Sequence, residues 1–368
     1  MKKRKPFKFL FAVFSKLAIV GLLIGLVVFV PTITFVYSNN EKKLRESFFG
    51  KTPVYKGVLT LWNIDSFEGG CGSRSGYLEK ICLEFEKQNK GVFIKVENLT
   101  IEQMQANIKM GVLPNLISFG ANSGALFEDK MVYLEDSCFN NLRSNFYASG
   151  LSCGKLKAVP WAVGGYALIT TSDRIEKARC EVKDNIEELV FKLSYDKNLK
   201  KKTKHINSLT FGGNDYVHAV NVFSRRFENE SVEELAKNGV IDSLYKTQTS
   251  YQAYVNFVNK NSSMLLGTQR DVFRMENKVM AGVEADCLVK ALGDYTDLVN
   301  YISVLECDNK NVVSVCKDFI EYLLTEKSQK KLKNIGLISP LNLDLFQEGG
   351  ISLIEESITE ETLVPNIF

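Results

Sequence analysis

Histidine, tryptophan and proline are scarce in this chain of 368 residues, which contains two, two and seven of them. The two histidines, His205 and His218, are too few for a histidine-rich catalytic metal centre. The cysteines form no Cys-x-x-Cys pair, so no spacing indicates a structural zinc site. The low proline content excludes proline-rich disordered segments. We therefore expect a folded protein without a bound metal or other cofactor.

The chain also lacks a large excess of charge of either sign. It has 46 Lys and Arg against 43 Asp and Glu, a formal charge of +3, which is too small to favour a nucleic-acid partner. The first 16 residues nevertheless carry six basic side chains and no acid, so the remainder is acidic by three charges. The length and the 45% hydrophobic content allow a sizeable core and predict two domains or lobes.

A long uncharged run follows this basic tail. The 21 residues from Leu17 to Tyr37 carry no charge, and as a helix they would span ~30 Å, about one bilayer core. We predict a single transmembrane anchor over 17–37, with the basic tail 1–16 in the cytoplasm and the main body outside the cell. A cleaved signal peptide is the main alternative, although its apolar region usually has only roughly 7–15 residues. A buried core helix is a further alternative, and a lipoprotein is disfavoured because no cysteine precedes Cys71.

The next part of the chain alternates between patterns typical of strands and helices. The polar residues 38–56 are expected to form a stalk, after which Val58–Trp62 reads as a buried strand. Strand–helix–strand–helix–strand predicts a parallel α/β sheet with right-handed crossovers. The predicted segments after the first strand are a helix over 75–89, a strand from 92 to 96, a helix over 101–110 and a strand over 116–119. Later segments are an extended stretch over 159–171 and helices over 312–324 and 325–334.

Polar loops follow the first and third predicted strands. Asp65, Glu68 and Arg74 come after the first of them, at the carboxyl end where open α/β sheets bind ligands. The glycines of this loop have the wrong spacing for a dinucleotide fingerprint, so a turn or a small-molecule contact is expected. Asn122 and Ser123 follow the later strand, and either contact ligand hydroxyls or form an ordinary turn. Ser123 has no evident catalytic base, so we expect no nucleophile here.

Both tryptophans fall at predicted strand ends or crossings. Trp62 ends the first strand, and Trp161 precedes the pair Gly164 and Gly165. Aromatic rings stack on the apolar faces of sugars, so both rings are candidate ligand contacts, with Tyr166 and Phe67 as secondary candidates, although structural anchoring is the default role of a Trp. The tetrad Ser152–Lys155 matches the S-x-x-K nucleophile pattern, but Gly154 argues against the helix that this pattern requires.

A polar run also follows the apolar residues 263–267. Gln269, Arg270 and Asp271 either project from a strand end into a cleft or begin an exposed, ion-paired helix. With these three, the candidate ligand-binding residues are Trp62, Asp65, Glu68, Arg74, Asn122, Ser123, Trp161, Gly164, Gly165, Tyr166, Gln269, Arg270 and Asp271. No catalytic residue is proposed.

Four stretches in order along the chain resemble the family 1 extracellular solute-binding proteins, the carbohydrate-type receptors of ABC importers. The third stretch, 159–168, is similar to the first crossover between the lobes in that family, and the fourth, 319–329, is similar to its late helix. Asn115 stands where the family usually has Asp, and the cysteine of a lipoprotein is absent. The four stretches are 59–70 (LTLWNIDSFEGG), 111–120 (GVLPNLISFG), 159–168 (VPWAVGGYAL) and 319–329 (FIEYLLTEKSQ).

The resemblance implies a two-lobed periplasmic-binding-protein-like α/β fold of type II, here preceded by the transmembrane helix. The first lobe would comprise 57–160 and 268–305, and the second 164–262 and 310–368. A small solute, by family expectation a sugar or oligosaccharide, would be captured by lobe closure around Gly164 and Gly165. The receptor would then deliver it to an ABC permease. A membrane-anchored sensor without transport and a glycan hydrolase built on Asp65 and Glu68 are the alternatives.

Overall fold

The computed structural model describes residues 54–135, 139, 141–177, 207–214, 232–237 and 239–368. The predicted cytoplasmic tail 1–16, the predicted anchor 17–37 and all but the last residues of the stalk 38–56 lie outside these ranges. In the described ranges, no helix combines the length and the apolar character needed to cross a bilayer.

Five of the described strands form the first sheet, in the order β2-β1-β3-β11-β6. β1 pairs in parallel with β2 and β3, whereas β11 runs antiparallel to β3 and β6. The parallel arrangement predicted for the first three strands is therefore confirmed. The bounds are β1 Gly57–Ile64, β2 Val92–Leu99, β3 Leu116–Gly120, β6 Val159–Val163 and β11 Val299–Val304.

Four further strands form the second sheet, in the order β10-β7-β9-β8. β7 is antiparallel to both of its neighbours, and β8 is parallel to β9. Their bounds are β7 Tyr166–Thr170, β8 Asn207–Thr210, β9 Ser262–Thr268 and β10 Leu288–Leu292. Because β6 ends at Val163 and β7 begins at Tyr166, Gly164 and Gly165 connect the two sheets directly.

A two-stranded hairpin contains the S-x-x-K tetrad. Its strands are β4 Leu151–Ser152 and β5 Lys155–Leu156. Cys153 (φ 48°) and Gly154 (φ 76°) form the turn, and both have the positive φ typical of tight two-residue hairpin turns. The tetrad is therefore not helical, as the sequence predicted.

Local sequence signals mark the ends of some helices, whereas the predicted helix 325–334 is divided into Glu326–Gln329 and the 3₁₀ helix Leu332–Ile335. The Ser73 hydroxyl accepts a hydrogen bond from the Gly76 amide (3.1 Å), and Gly336, in the left-handed conformation, ends the 3₁₀ helix 332–335. The described helices are α1 Arg74–Gln88, α2 Ile101–Lys109, α3 Ser144–Ser149, α4 Ser172–Lys177, α5 Val232–Lys237, α6 Ser250–Val258, α7 Gln269–Met280, α8 Lys310–Leu323, α9 Glu326–Gln329 and α10 Gly350–Ser357.

Three apolar clusters stabilise these layers. The first lies on one face of the first sheet and contains the stripe that the helical period of α1 predicts: Tyr77, Leu78, Ile81, Cys82 and Phe85. The second lies on the opposite face of that sheet and continues to the second sheet, and the third lies within the second sheet. The two sheets therefore share part of their buried interior in this conformation.

Two segments belong to a different sheet from the one expected for them. Of the segment 268–305, placed with the first lobe, β10 pairs with β7 and α7 packs on β9, so only β11 lies in the first sheet. Of the segment 310–368, placed with the second lobe, α8 packs on β11 and α1 of the first sheet. These boundaries are corrected because the chain returns to the first sheet between β10 and β11 and stays there through α8. The movement of two lobes stays a prediction.

Candidate functional site

Three passes of the chain meet where the sheets join, and we call this region the lobe junction. The Gly164 amide donates to the Leu298 carbonyl (2.7 Å), and the Thr296 hydroxyl donates to the Gly164 carbonyl (2.8 Å). Val163 and Ile338 exchange both backbone hydrogen bonds, each 2.9 Å long. Backbone hydrogen bonds thus connect all three passes at the position that the sequence analysis assigns to the first crossover.

Neither junction glycine has a positive φ, so close packing explains their small size. A Cβ on Gly164 would lie 2.5 Å from Nε2 of Gln269 and 2.9 Å from Cε2 of Phe67. A Cβ on Gly165 would lie 2.4 Å from Cγ2 of Ile354. Real Cβ atoms essentially never come this close to other heavy atoms, so larger residues would displace these neighbours.

Arg74 is a buried cation at the carboxyl end of β1, where α1 begins. Its Nη1 donates to the Oδ1 atoms of Asn63 and Asn300, both at 3.2 Å, and its Nη2 donates to the Ile64 carbonyl at 3.1 Å. Glu68 places one carboxylate oxygen 3.3 Å from Nε and accepts the Arg74 backbone amide at 2.9 Å with the other. The structure therefore brings the predicted residues Glu68 and Arg74 together.

Burial lowers the pKa of the Arg74 guanidinium, whereas the charges of Glu68 and Asp65 raise it. A buried guanidinium without such partners would be very costly. Asp65 itself is exposed and sits directly after β1. The three charged residues predicted for this loop therefore form one electrostatic unit, in which Arg74 is interior and Asp65 reaches solvent.

Two buried amide groups at the junction hold unpaired donors. Gln269 accepts the Gly165 amide on Oε1 (3.0 Å), which leaves its Nε2 without a partner among the described residues. Asn300 accepts Arg74 on Oδ1, and within the described part of the chain its Nδ2 is likewise unpaired. Each amide oxygen already accepts a hydrogen bond from the protein. The NH₂ groups can only donate, so each would need a further acceptor.

The start of α7 meets the loop that follows β1. A Cβ on Gly70 would lie 3.3 Å from both the Cα of Arg270 and Cδ1 of Phe273, so the loop and the helix are in contact. Arg270 is exposed, as one of the two interpretations of this segment required. Asp271 instead is buried, accepts the Thr268 amide (3.1 Å) and pairs with Arg274 (3.1 Å). Burial raises the pKa of Asp271, and its role is to cap the helix.

Two aromatic rings stand at the junction. Tyr166 begins β7 and donates its hydroxyl to Asp297 on the second crossing. Phe67 is half-buried and packs against both the first and the third apolar cluster, so it inserts between the sheets. Ser123 is buried in the 3₁₀ helix Ala121–Leu126, which follows β3, and the side chain of Asn122 lies outside the described structure.

The structure does not bring the two tryptophans together. Trp161 is fully buried, stacks on Tyr77 (centroids 5.4 Å apart, planes at 6°) and donates to the Ser118 hydroxyl at 3.1 Å. Trp62 is 1% exposed, lies on the opposite face of the first sheet and donates to Glu97 at 3.1 Å. Neither ring is open to a ligand in this conformation, because adjacent interior layers cover both.

Sequence reasoning missed Asn63 and Asn300, which bind Arg74. Asn300 is an amide in the fully buried strand β11, and an isolated Asn in an apolar strand is a usable signal. The departure at Asn115 also has a structural role, since its Oδ1 accepts the Thr60 amide at 2.9 Å. Among the residues that the structure describes, no group of three or more His, Cys, Asp or Glu side chains is placed to hold a metal ion.

No protein-family model and no curated protein sequence matches this chain. Solved structures do match it. The sugar-binding protein MalE from the phytopathogen Xanthomonas citri aligns with a TM-score of 0.62 and 14% identity over 83% of this chain and 88% of that one. Maltose-bound MalE3 of T. maritima aligns with a TM-score of 0.61 and 14% identity over 82% and 85%.

A third solved structure is the cyclic alpha-maltosyl-1,6-maltose binding protein from Arthrobacter globiformis. It aligns with a TM-score of 0.60 and 12% identity over 85% of this chain and 86% of that one. At such low identity the similarity shows the fold alone. The chain therefore has the two-lobed α/β fold of MalE-like binding proteins, in agreement with the resemblance found in the sequence.

Proposed function

We propose that this protein is an extracytoplasmic solute-binding receptor of an ABC importer, and that it captures a sugar or oligosaccharide at the lobe junction. The proposal is supported by the fold, which it shares with sugar-binding proteins, and by the polar groups that meet between its sheets. It involves binding only and no bond-breaking step.

The unpaired amide donors of Gln269 and Asn300 carry this proposal. A buried donor without an acceptor costs about 1–3 kcal/mol, so both amide groups would gain from a ligand that offers acceptors. A solute with several hydroxyl groups supplies acceptor oxygens to such donors, and sugars are rich in them. A solute would thus complete the junction in its closed arrangement.

Capture would proceed by a shift between open and closed arrangements of the sheets. The three crossings at the junction would absorb the backbone rotation, with Gly164 and Gly165 as the hinge. A solute stabilises the closed arrangement only by its extra affinity for that arrangement. Arg74, Asn63 and Asn300 hold the first side of the site rigid, while Gln269 and Arg270 approach from the second.

The aromatic contact of the site would come from Phe67. Phe67 is half-buried at the junction, whereas Tyr166, Trp62 and Trp161 are enclosed in the interior. A ring face beside directional amide donors is a common arrangement in small-molecule sites. We therefore assign stacking to Phe67 and place the two tryptophans outside the contact set.

The cellular setting is part of the same proposal. The uncharged run 17–37 would anchor the protein in the cell membrane as an uncleaved single-pass helix, with the tail 1–16 in the cytoplasm and the body outside. An anchored receptor stays close to its ABC permease, to which it would pass the solute. A membrane-anchored sensor without transport would have the same arrangement. Uptake of the solute by intact cells distinguishes the two functions, because only the importer receptor supports it.

A thermal-shift screen of the full-length protein in detergent tests solute binding. A panel of mono- and oligosaccharides should contain a compound that raises the melting temperature progressively as its concentration rises above its Kd, as binding to the folded state requires. Replacing Asn300 by Leu should abolish that increase. Asn256→Leu, which removes an amide of α6 bonded to Gln248 (2.9 Å), serves as the matched control and should preserve it. An equal increase in both variants would remove Asn300 from the site.

A further inference from the structure

The first sheet exposes apolar side chains at the amino ends of its parallel strands. Val58 of β1 and Phe93 of β2 are direct neighbours in the register, so they lie on the same face of the sheet. Val58 is 60% exposed and Phe93 is 57% exposed. Two adjoining exposed apolar side chains form the start of a candidate contact surface for an apolar partner.

The loop between α2 and β3 adds to this surface at the same edge. Met110 is 69% exposed, Val112 is 51% exposed and Leu113 is 38% exposed. We call Val58, Phe93, Met110, Val112 and Leu113 the amino-edge patch.

Hydrogen bonds fix the loop in place. The Val112 amide donates to the Asn107 carbonyl (3.0 Å), and the Asn115 amide donates to the Thr60 carbonyl (3.0 Å). The Asn115 side chain accepts the Thr60 amide in return at 2.9 Å. The exposed side chains are therefore presented by an anchored loop, because both of its ends are bonded to regular elements.

The chain enters the first sheet at this same edge. Val54 precedes β1, and the 16 residues 38–53 separate it from the uncharged run 17–37. Sixteen residues reach at most about 55 Å when extended, and about 22 Å as a flexible coil. If 17–37 lies in a bilayer, the membrane surface is within reach of the patch. Because the anchor would hold the body next to the bilayer, the effective concentration of lipid at the patch is high. A weak apolar contact between the patch and the lipid can then form.

Charges of both signs surround the patch. Lys56 and Lys109 are exposed beside it, which suits an anionic lipid surface. Glu306 and Asp308, which follow β11, are exposed at the same edge of the sheet and oppose that attraction. The contact must therefore depend mainly on the apolar side chains.

We propose that the amino-edge patch rests in the interfacial layer of the bilayer that anchors the chain. The carboxyl ends of β1 and β3, and the lobe junction beyond them, then face away from the membrane. This orientation is suited to the capture of a solute from outside. The inference rests on the anchor in the proposed function and is independent of the solute.

Tryptophan fluorescence of the full chain in lipid vesicles tests the proposal. Val112→Trp places a reporter on the patch, and Leu244→Trp, at a site that is 57% exposed beside the second sheet, is the matched control. Both native tryptophans are buried and give a constant background. In phosphatidylcholine–phosphatidylglycerol vesicles with brominated acyl chains, we expect the Val112→Trp emission to be quenched about twofold more than that of Leu244→Trp.

Equal quenching of the two reporters would overturn the proposal. So would a Val112→Trp reporter that bromine does not quench and that is shielded from aqueous iodide in detergent as well, because protein rather than lipid would then cover the patch. If the full chain does not remain with the vesicles on flotation, the anchor fails and the inference fails with it. The sugar-dependent melting temperature, measured on the same variants, reports separately on solute binding.

Discussion

At the scale of single residues, hydrogen bonding decides which buried polar groups could still bind a ligand. Trp161 and Arg74 were both candidates for ligand contact, and both are almost completely enclosed. Trp161 stacks on Tyr77 and bonds to Ser118, which satisfies its one donor. Arg74 keeps its guanidinium bonded to protein oxygens. Under the proposed function, the groups left for a solute are the NH₂ groups of Gln269 and Asn300, which have no partner within the described residues.

Replacing Trp161 by Ala should lower the free energy of unfolding by about 3–5 kcal/mol, because it empties a large buried volume and leaves Ser118 without its donor. Affinity for the solute, measured well below the melting temperature, should change little. Denaturant unfolding and calorimetric titration measure the two quantities. Trp161→Phe, which keeps the stack on Tyr77, is expected to lose less stability. A variant with normal stability and no binding would return Trp161 to the site.

Replacing Gly164 by Ala should weaken solute binding more than it weakens the fold, because the new methyl group displaces Gln269 and Phe67. Gly76→Ala is the matched control, since its methyl group meets only the Ser73 hydroxyl at 3.2 Å in a helical position. There Ala is the better helix former and should be neutral or slightly stabilising. Titration of both variants with the solute checks the difference. Identical affinities would show that the spacing at Gly164 is unimportant.

At the scale of helices and strands, local patterns predict the elements well and their partners less well. The stripe on α1 and the strands β1, β2 and β3 follow from periods that five to fifteen neighbouring residues reveal. The assignment of β10 and α8 to sheets depends on pairing between distant segments, which no local period encodes. The start of α7 shows a mixed outcome: it is a helix, but Gln269 and Asp271 within it are buried.

The third crossing, after Ile338, depends on a buried carboxyl group of α10. One oxygen of Glu355 accepts the amides of Leu345 (2.9 Å) and Phe346 (2.8 Å). Its other oxygen has no partner within the described ranges. Burial raises the pKa of Glu355, and the two amides and Arg143 lower it in part. The folded state therefore binds this proton more strongly than the unfolded state does.

This pKa gives a pH dependence with a definite sign. Between the ordinary pKa of a glutamic acid and the raised one, the folded state holds more protons, so the Glu355 contribution to the free energy of unfolding falls as the pH rises. Glu355→Gln keeps an acceptor for both amides and should remove that part of the slope. Melting temperatures across the mildly acidic range check it, with exposed Glu356→Gln as the control. Parallel curves for wild type and Glu355→Gln would show that the carboxyl group does not titrate in this range.

At the scale of the whole molecule, two sheets joined by three hydrogen-bonded crossings form one frame with a polar junction. The fold agrees with the resemblance in the sequence, because the chain aligns over 83% of its length with the MalE structure from Xanthomonas citri. The tryptophan contacts could not be predicted, since sequence position does not tell which face of a strand is covered. The identity of the solute depends on contacts that no local pattern describes.

Native mass spectrometry of the full-length protein with a mixed library of sugars tests the central claim most directly. We expect one saturable adduct per chain whose mass equals that of an unmodified library member, and Asn300→Leu should weaken it. The contrary result is a library that leaves the protein without an adduct, or one whose members are converted to shorter products during incubation.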